Sequence, residues 1–381
     1  MSAMIADEFL SQNYLFRKNI LSGKVEFKTI NSEEDFKVFT KESMNTLAHQ
    51  VKMNGQECSK IDLEEVIFSE ATPLHNPIGE YIDKLPAWDG IDRVTPLWLR
   101  LGSIGDEHLE FLHIWHRSCV AHWMQLDPLH GNECVPTLIG DQGCGKTTFA
   151  KRLLPVELRK YFLDHINLSN KFDKEMALTN NLLVNLDELD SIRPSQQAML
   201  KQTLSKSKVN GRPIYGGSQE DRVRFASFIA TTNNLHPLQD ATGSRRNICI
   251  KIAEGALLDN DTDIDYGQLY AQLKHEILEE KKSYWFSNEQ TKRIQELNMP
   301  FIKTMDLEQM LTTCFRKPKA GENGEQLSVA EIMKTICMKF PHVTPSHATS
   351  VNIGMLLKEM GFVQYRSTSM RTYNIVPQRA A

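Results

Sequence analysis

The sequence lacks the features that mark membrane and secreted proteins. Among its 381 residues no apolar run reaches membrane-spanning length, and the N-terminus lacks the basic and then apolar order of a signal peptide. The seven cysteines are scattered without a C-x-x-C pair, which disfavours a disulfide framework. Internal repeats and long low-complexity tracts are also missing. We therefore expect a cytoplasmic protein that does not associate with membranes.

The chain also lacks a strong excess of charge of either sign. Its formal net charge is −4, but residues 301–381 contain ten Lys and Arg residues against six Asp and Glu residues. A basic surface for nucleic acid would then be local, so the global charge neither supports nor excludes DNA binding. The length predicts two or three domains.

The most informative motif is a glycine-rich octapeptide that fills every fixed position of the pattern G-x-x-x-x-G-K-[ST]. It comprises Gly140, Asp141, Gln142, Gly143, Cys144, Gly145, Lys146 and Thr147, and Thr148 follows directly. In such loops backbone N–H groups wrap a triphosphate, the lysine reaches the outer phosphates and the threonine hydroxyl binds magnesium. A purely structural turn is the alternative, but it has no need of the Lys-Thr pair. The motif predicts a site for ATP and Mg²⁺.

Strand and helix signals alternate after this motif, as they do in a parallel sheet with crossover helices. The candidate strands cover residues 135–139, 161–166, 182–186, 226–231 and 248–252. The expected regions are an N-terminal α+β region with a hairpin and a helix (1–75), a helical lead-in (76–130), the core (131–255), a helical segment (256–316) and, after a linker at 317–326, a small module (327–381). We therefore predict an α/β fold with a five-stranded parallel sheet flanked by helical subdomains.

Two adjacent carboxylates, Asp187 and Glu188, follow the third candidate strand. Their position predicts the carboxyl edge of the sheet, where the glycine-rich loop also lies. Neighbouring strand residues point apart, so the two acids can have different roles. We expect Asp187 to bind magnesium through water and Glu188 to act as the base toward the attacking water. The alternative is a polar strand end that faces solvent.

Two further signals follow the fourth candidate strand. Asn233 can position the attacking water beside the γ-phosphate, although an asparagine after a strand is more often a turn former. Arg245 and Arg246 come twelve residues later. A guanidinium matches the phosphate charge of a transition state, and ring ATPases present one across a subunit interface. A solvated or ion-paired surface pair is the alternative for the arginines.

The order of these motifs resembles the superfamily-3 helicases, the compact AAA+ motors of viruses, phages and satellites. A closer resemblance, to the virulence-associated protein E family of helicase-like ATPases, is carried by LPAWDGIDR at 85–93, the loop at 140–147, RPIYG at 212–216, FIATTN at 228–233 and DATGSRR at 240–246. The resemblance implies an AAA+ core with these roles: Lys146 and Thr147 for nucleotide and magnesium, Asp187 and Glu188 as metal and water acids, Asn233 as sensor, and Arg245 or Arg246 as finger. Which arginine reaches the neighbour stays open.

The resemblance also implies an ATP-driven motor that acts on single-stranded or forked DNA as a ring, expected to be a hexamer, in replication of a phage or mobile element. Many relatives carry a primase, but residues 1–95 are too short for one, so a separate primase is the expected partner. An ATP-gated DNA-binding adaptor or loader without unwinding activity uses the same ATP chemistry and is one alternative. A P-loop phosphotransferase is another.

Basic residues lie between the acidic strand and the sensor strand, in a segment whose turn signals predict a hairpin. Superfamily-3 motors project an insertion here into the ring channel, where Lys206, Lys208 and Arg212 would grip phosphates and Tyr215 would stack or pack. One alternative is a solvated charge run. Another is that Arg212, Arg222 or Arg224 binds nucleotide or a neighbouring subunit.

The C-terminal module is predicted to contain helices at 329–340 and 349–360 and a hairpin of strands 363–366 and 371–376. This outline is that of a winged helix, with Lys358, Arg366 and Arg371 near its DNA face. Winged helices also dock proteins, so DNA contact and protein docking are both open.

Four potential metal ligands recur every three residues, namely His113, His116, Cys119 and His122. On an α-helix a spacing of three drifts by about 60° per step, so the four side chains cannot converge on one ion. We therefore expect a helix surface here rather than a metal site.

Overall fold

The computed structural model covers most of the chain. It describes residues 2–102, 104–127, 129–166, 168, 170–189, 194–211, 220–238, 244–302, 307–319, 321–341, 343, 345–366 and 371–378. The chain folds as two units, Met1–Ile302 and Lys303–Ala381. None of the helices in these ranges has the length and apolar character needed to cross a membrane.

The first unit begins with a small sheet and three helices around their own apolar core. The elements are α1 (Ser2–Asn13), β1 (Tyr14–Asn19), β2 (Val25–Thr29), β3 (Lys37–Val38), α2 (Lys41–Met53), α3 (Lys60–Ile67) and β4 (Leu74–His75). The strands lie in the order β3-β2-β1-β4, and β1 pairs antiparallel with β2, which confirms the predicted hairpin. The helix after the hairpin begins at Lys41, where Thr40 forms a capping box with Ser43.

A helical segment and the central sheet follow. The elements are α4 (Pro77–Asp83), α5 (Val94–Leu99), α6 (Asp106–Trp123), β5 (Val135–Ile139), α7 (Lys146–Arg152), β6 (Phe162–Leu163), α8 (Lys171–Asn180), β7 (Leu183–Asp187), α9 (Pro194–Ser205), β8 (Lys208–Gly211), β9 (Glu220–Val223), β10 (Ser227–Thr232), β11 (Asn247–Lys251), α10 (Tyr266–Leu278) and α11 (Asn288–Leu297), with short 3-10 helices at Val156–Tyr161, Ser244–Arg246 and Met299–Phe301.

The central sheet confirms the predicted five parallel strands with flanking helices. Its order is β11-β5-β10-β7-β6, and every neighbouring pair is parallel. All five residues of β5 and all six of β10 are buried, as expected for inner strands covered on both faces. Strand β10 lies between β5 and β7, so the strand before the glycine-rich loop and the acidic strand are not neighbours.

Helix α6 lies inside the first unit, where the sequence predicted a surface helix. It contacts β5 and β11 of the central sheet on one side and α5 and α10 elsewhere. His116, Cys119 and His122 are buried, and so are Trp115 and most other residues of the helix. The prediction was wrong because α6 has neighbours all round, so its histidines fill interior positions beside apolar side chains.

The second unit combines helices with a small antiparallel sheet. The elements are α12 (Leu307–Cys314), β12 (Phe315–Arg316), β13 (Glu325–Ser328), α13 (Val329–Lys339), α14 (His347–Glu359), β14 (Gln364–Arg366) and β15 (Arg371–Pro377). Strand β15 pairs with β12, β13 and β14. The two predicted helices and both hairpin strands are present, whereas the predicted turn at 367–370 lies outside the described residues. Helix α12 and strand β12, which the sequence placed in segment 256–316, belong to this unit.

Candidate nucleotide site

The glycine-rich loop joins the end of β5 to the start of α7. Gly143 and Gly145 have φ values of +80° and +95°, in the left-handed region that favours glycine. A Cβ added at Gly145 would also lie 2.5 Å from Asn260 Nδ2. The amide of Gly140 donates to Thr232 O at 3.2 Å, which ties the loop to β10. The left-handed backbone therefore favours glycine at position 145, where a side chain would also displace Asn260.

Lys146 and Asn233, predicted from separate motifs, are in direct contact. The Lys146 side chain is buried, and its Nζ donates to Asn233 Oδ1 at 2.9 Å. The same Nζ donates to the carbonyl oxygens of Gly140 at 2.8 Å and Asp141 at 2.7 Å. The ammonium group therefore lies within the loop, beside the amide that follows β10.

The Asp187 carboxylate is oriented by a buried polar pair that the sequence analysis did not single out. Thr231 lies opposite Asp187 in the β7–β10 register, and its hydroxyl donates to Asp187 Oδ1 at 2.7 Å. Asn185 Nδ2 donates to Thr231 Oγ1 at 3.2 Å, and both side chains are fully buried. The available signal was the presence of asparagine and threonine inside otherwise apolar strands. Thr231 is a positioning residue for Asp187.

Glu188 has an unusual backbone conformation. Its φ is +50°, in the left-handed region, and its side chain is exposed. For a residue other than glycine, such a conformation costs about 1–3 kcal/mol, and residues with this strain cluster at functional sites. The chain therefore changes direction directly after Asp187, which separates the two acids.

Residues 253–263, which follow β11 and which we call the strap, are hydrogen-bonded to the glycine-rich loop. Gly255 N donates to Asp141 Oδ2 at 2.8 Å, Leu258 N to Cys144 O at 2.9 Å and Asn260 Nδ2 to Gly145 O at 3.1 Å. Asn260 Oδ1 is buried without a hydrogen-bond partner among the described residues. Asp141 and Cys144, predicted as nucleotide contacts from the motif, therefore also anchor the strap. Gln142 and Thr148 are exposed, and Thr147 is half-buried.

The oxygen donors at this edge of the sheet fit magnesium. Thr147 offers a hydroxyl and Asp187 a carboxylate, which are ligand types that Mg²⁺ prefers, and this ion usually keeps waters and substrate phosphate oxygens as its other ligands. In the described part of the chain, no group of three or more His, Cys, Asp or Glu residues could hold a metal ion alone. Magnesium bound here would therefore share its coordination with a phosphate group.

Arg245 and Arg246 lie at the amino ends of the parallel strands, whereas the glycine-rich loop lies at their carboxyl ends. They immediately precede β11, whose first residue pairs with Val135, the first residue of β5, whereas the loop follows the last residue of β5. The five residues of β5 span about 16 Å. Arg246 Nε lies 3.2 Å from Glu133 Oε2, and Arg245 is exposed. The structure does not bring either arginine to the nucleotide site of its own chain.

The predicted DNA residues are only partly within the described chain. Strands β8 and β9 form the predicted hairpin, with Lys208 opposite Val223, but Arg212 and Tyr215 lie outside the described residues. Lys206 precedes the hairpin, and its Nζ lies 3.6 Å from Glu175 Oε1.

The basic residues predicted in the second unit are all at its surface. Lys358 on α14, Arg366 on β14 and Arg371 on β15 are exposed, and the two arginines are paired in the β14–β15 register.

Arg222 and Arg224, for which nucleotide or subunit contacts were an alternative, both have contacts within their own chain. Arg222 Nη2 donates to Leu21 O at 3.0 Å and to Asn180 Oδ1 at 3.1 Å. Arg224 is buried, with only 1% of its surface exposed. Neither contacts the glycine-rich loop.

Residues 82–302, more than half of the chain, match the family model of the virulence-associated protein E-like domain. Among solved structures, the chain is similar to an apo form of the NrS-1 C-terminal region, with 12% identity, 99% of each chain covered and a TM-score of 0.47. It is also similar to SCCmec type IV Cch, described as an active helicase, with 12% identity, 95% of this chain and 92% of that chain covered, and a TM-score of 0.34. No curated protein matches the sequence.

Proposed function

The chain belongs to the virulence-associated protein E-like family, and from this premise we propose that it is an ATP-hydrolysing ring motor that acts on DNA. In this proposal it is an AAA+ protein and a superfamily-3-type replicative helicase of a phage or mobile element. The observation that carries the proposal is the meeting of Lys146 with Asn233, one strand away from the Asp187 carboxylate that Thr231 orients.

The proposed reaction is attack of water on the γ-phosphorus of ATP, with release of ADP. Lys146 offsets phosphate charge, and Glu188 accepts the proton of the attacking water. Asn233 orients that water, since its amide lies at the end of β10 beside Lys146. Thr147 and Asp187 would hold magnesium, which supplies charge neutralisation on the phosphates when bound.

The position of the arginine pair supports a site shared between subunits. About 16 Å of strand separates the pair from the loop of its own chain, so an arginine that reaches a γ-phosphate must reach that of a neighbour. Arg246 is engaged by Glu133 within its own chain, which favours Arg245 as the finger. A ring, which we take to be a hexamer, presents such a residue at every interface.

The β8–β9 hairpin would line the channel of this ring and contact single-stranded DNA. The second unit would act as a winged helix, since after the short strand β12 its order from β13 to β15 is strand, helix, helix, strand, strand, and helix α12 precedes them. Strand β15 pairs with β13 and with β14. Lys358, Arg366 and Arg371 would then contact duplex DNA, and priming would come from a separate protein.

A second candidate function is an ATP-gated adaptor that loads DNA or partners without unwinding. One observation favours it, which is the apolar outer face of α14. Val351 is 46% exposed and Met355 53% exposed, and both share that face with Lys358. A helix with this surface is suited to docking a protein as well as DNA.

The discriminating experiment measures ATP turnover with and without single-stranded DNA beside strand displacement on a forked duplex, with Lys146→Ala as the control. A motor gives DNA-stimulated turnover and displacement that requires hydrolysable ATP, and Lys146→Ala loses both. DNA-stimulated turnover without displacement would support the adaptor instead. Absence of ATP hydrolysis would refute both functions.

A further inference from the structure

Arg224 is a buried cation at the base of the β8–β9 hairpin. Its guanidinium donates to four backbone carbonyl oxygens: Leu204 at 2.6 Å, Lys206 at 2.7 Å, Ala226 at 2.7 Å and Asn132 at 3.1 Å. It also lies over the ring of Phe228, 5.5 Å from the centroid. The backbone at Gly131 packs directly against the guanidinium, because a Cβ added there would lie 2.2 Å from Arg224 Nη1.

This arrangement is costly for a residue that only fills space. Burial lowers the pKa of Arg224 to about 10, because the charged form loses its hydration. The carbonyl groups satisfy the guanidinium donors, but none of them carries the negative charge that would balance a buried cation. The positions of the four carbonyl groups in the fold therefore indicate what Arg224 does.

The four carbonyls belong to the segments that join the hairpin to the nucleotide site. Leu204 and Lys206 lie at the end of α9 and just before β8, and Arg224 itself directly follows β9. Ala226 directly precedes β10, and Asn132 lies in the segment that leads into β5. One guanidinium thus fixes both ends of the hairpin to the amino ends of two inner strands.

Those two strands lead to the site at the other edge of the sheet. Strand β10 is buried at all six positions and is followed by Asn233, which accepts a hydrogen bond from Lys146. Strand β5 leads into the glycine-rich loop. A displacement of the hairpin base can therefore reach both sides of the loop through packed strands that do not bend easily.

We propose that Arg224 is a positioning residue that couples the β8–β9 hairpin to the nucleotide site, so that DNA at the hairpin controls ATP hydrolysis at the loop. The inference rests on the proposed function, since it requires ATP turnover at Lys146 and DNA at the hairpin. Arg224 touches neither ligand, so its effect is on the response of turnover to DNA rather than on turnover itself.

Arg224→Lys tests the coupling, because lysine keeps the charge but cannot reach four carbonyls in a fork. We expect basal ATP turnover close to that of the wild type and a DNA-stimulated increase reduced by about an order of magnitude. The matched control is Arg117→Lys. Arg117 is also buried and pairs with Glu276 at 2.8 Å, but it joins α6 to α10 and contacts none of the described hairpin residues. Its substitution should lower the unfolding temperature and leave the stimulation ratio unchanged.

Equal stimulation of the wild type and Arg224→Lys would overturn the coupling while leaving the proposed function intact. A wild type whose turnover ignores DNA would overturn both. Should Arg224→Lys fail to fold, hydrogen exchange of the wild-type chain decides. Single-stranded DNA should then slow exchange in β8 and β9 and also in β10, and protection confined to the hairpin would refute the inference.

Discussion

Asp187 and Glu188 are adjacent in the chain, yet their surroundings differ. Both side chains are exposed, but Asp187 ends an otherwise buried strand and accepts a hydrogen bond from Thr231, whereas Glu188 has a left-handed backbone. The first environment holds a carboxylate in place, as a magnesium ligand needs. The second leaves the carboxylate open to water, as a general base needs. Strand β7 ends at Asp187, so it is the turn at Glu188, rather than strand alternation, that separates the two carboxylates, and their separate roles stay a prediction.

Substitution of Lys146 and Glu188 should give different phenotypes. Lys146→Ala should abolish ATP binding or turnover, since it removes the cation within the loop. Glu188→Gln should keep ATP affinity and lower turnover by about 10²–10⁴-fold, because only the base is lost. Equilibrium ATP binding and steady-state turnover of both variants check this. Turnover of Glu188→Gln near the wild-type value would remove its assignment as base.

Loss of the Thr231 hydroxyl should affect magnesium activation of ATP turnover more than the stability of the fold. Thr231→Val removes the hydroxyl that orients Asp187 and should weaken magnesium activation of turnover by about 10–100-fold, the usual effect of losing a partner of a metal ligand. Thr137→Val is the matched control, since Thr137 is equally buried in β5 and its hydroxyl bonds Val135 O instead. The idea fails if both variants show the same magnesium dependence in turnover assays.

At the scale of elements, the inner strands could be predicted from sequence because their apolar runs have one structural solution. Helix α6 could not, since its histidines suggest a polar face unless α10 is known to cover them. Arg224 is a similar case. Charged residues precede it at 220–222, and only the fold shows that four carbonyls converge on it. Asn260 reaches the loop from the strap more than 100 residues later, a distance in the chain that no local pattern bridges.

The LPAWDGIDR segment is another element whose role only the structure reveals. Gln268 Oε1 accepts from Asp89 N at 2.9 Å, and Gln272 Oε1 accepts from Arg93 N at 2.7 Å. Asp92 accepts from Gln272 Nε2 at 2.8 Å. Both glutamines lie on α10, so this family motif fastens the helical lead-in to α10.

The interior of α6 should make stability depend on pH. Burial lowers the pKa of His116 to about 3, and burial also lowers the pKa of His122. Above about pH 6.5 both folded and unfolded chains carry neutral histidine, so no penalty arises. As the pH falls from there toward 3, the unfolded chain binds protons that the folded chain cannot. Stability should therefore fall by up to about 1.4 kcal/mol per pH unit through His116, and His122 should add a contribution of the same sign.

Chemical denaturation between pH 7.5 and 5 measures this dependence, with His116→Leu as the comparison. The variant should lose less stability over this range than the wild type. Parallel pH profiles for the two proteins would show that His116 does not contribute.

At the scale of the first unit, functional candidates lie at both ends of the central strands and are separated by the length of those strands. The nucleotide site lies at the carboxyl edge, whereas Arg245, Arg246 and the base of the β8–β9 hairpin lie at the amino edge. Strands β5 and β10 connect the two edges. Under the proposed function, this division would let a single chain bind ATP at one edge and present an arginine and a DNA-binding hairpin at the other.

Replacement of Lys206, Lys208 and Arg212 should weaken DNA binding about equally for all sequences. Each lost phosphate contact on a single strand should flatten the salt dependence of log affinity by about 0.7, because fewer counterions are released. Replacement of Lys358, Arg366 and Arg371 should instead alter loading or site preference on duplex DNA, with little effect on hydrolysis. Fluorescence anisotropy titrations across salt test both sets. Unchanged affinity and slope in both would favour protein partners for these surfaces.

The most direct test of a ring motor with shared sites is a mixing experiment. Arg245→Ala should bind ATP without hydrolysing it, and Lys146→Ala should be inactive as well. Mixed subunits should recover a fraction of the turnover at interfaces that pair an intact loop with an intact Arg245. Arg246→Ala is the matched control. Because Arg246 already pairs with Glu133 within its own chain, this variant should hydrolyse ATP without being mixed. Recovery with Arg245→Ala is the predicted result, and no recovery despite proven subunit exchange would contradict the account.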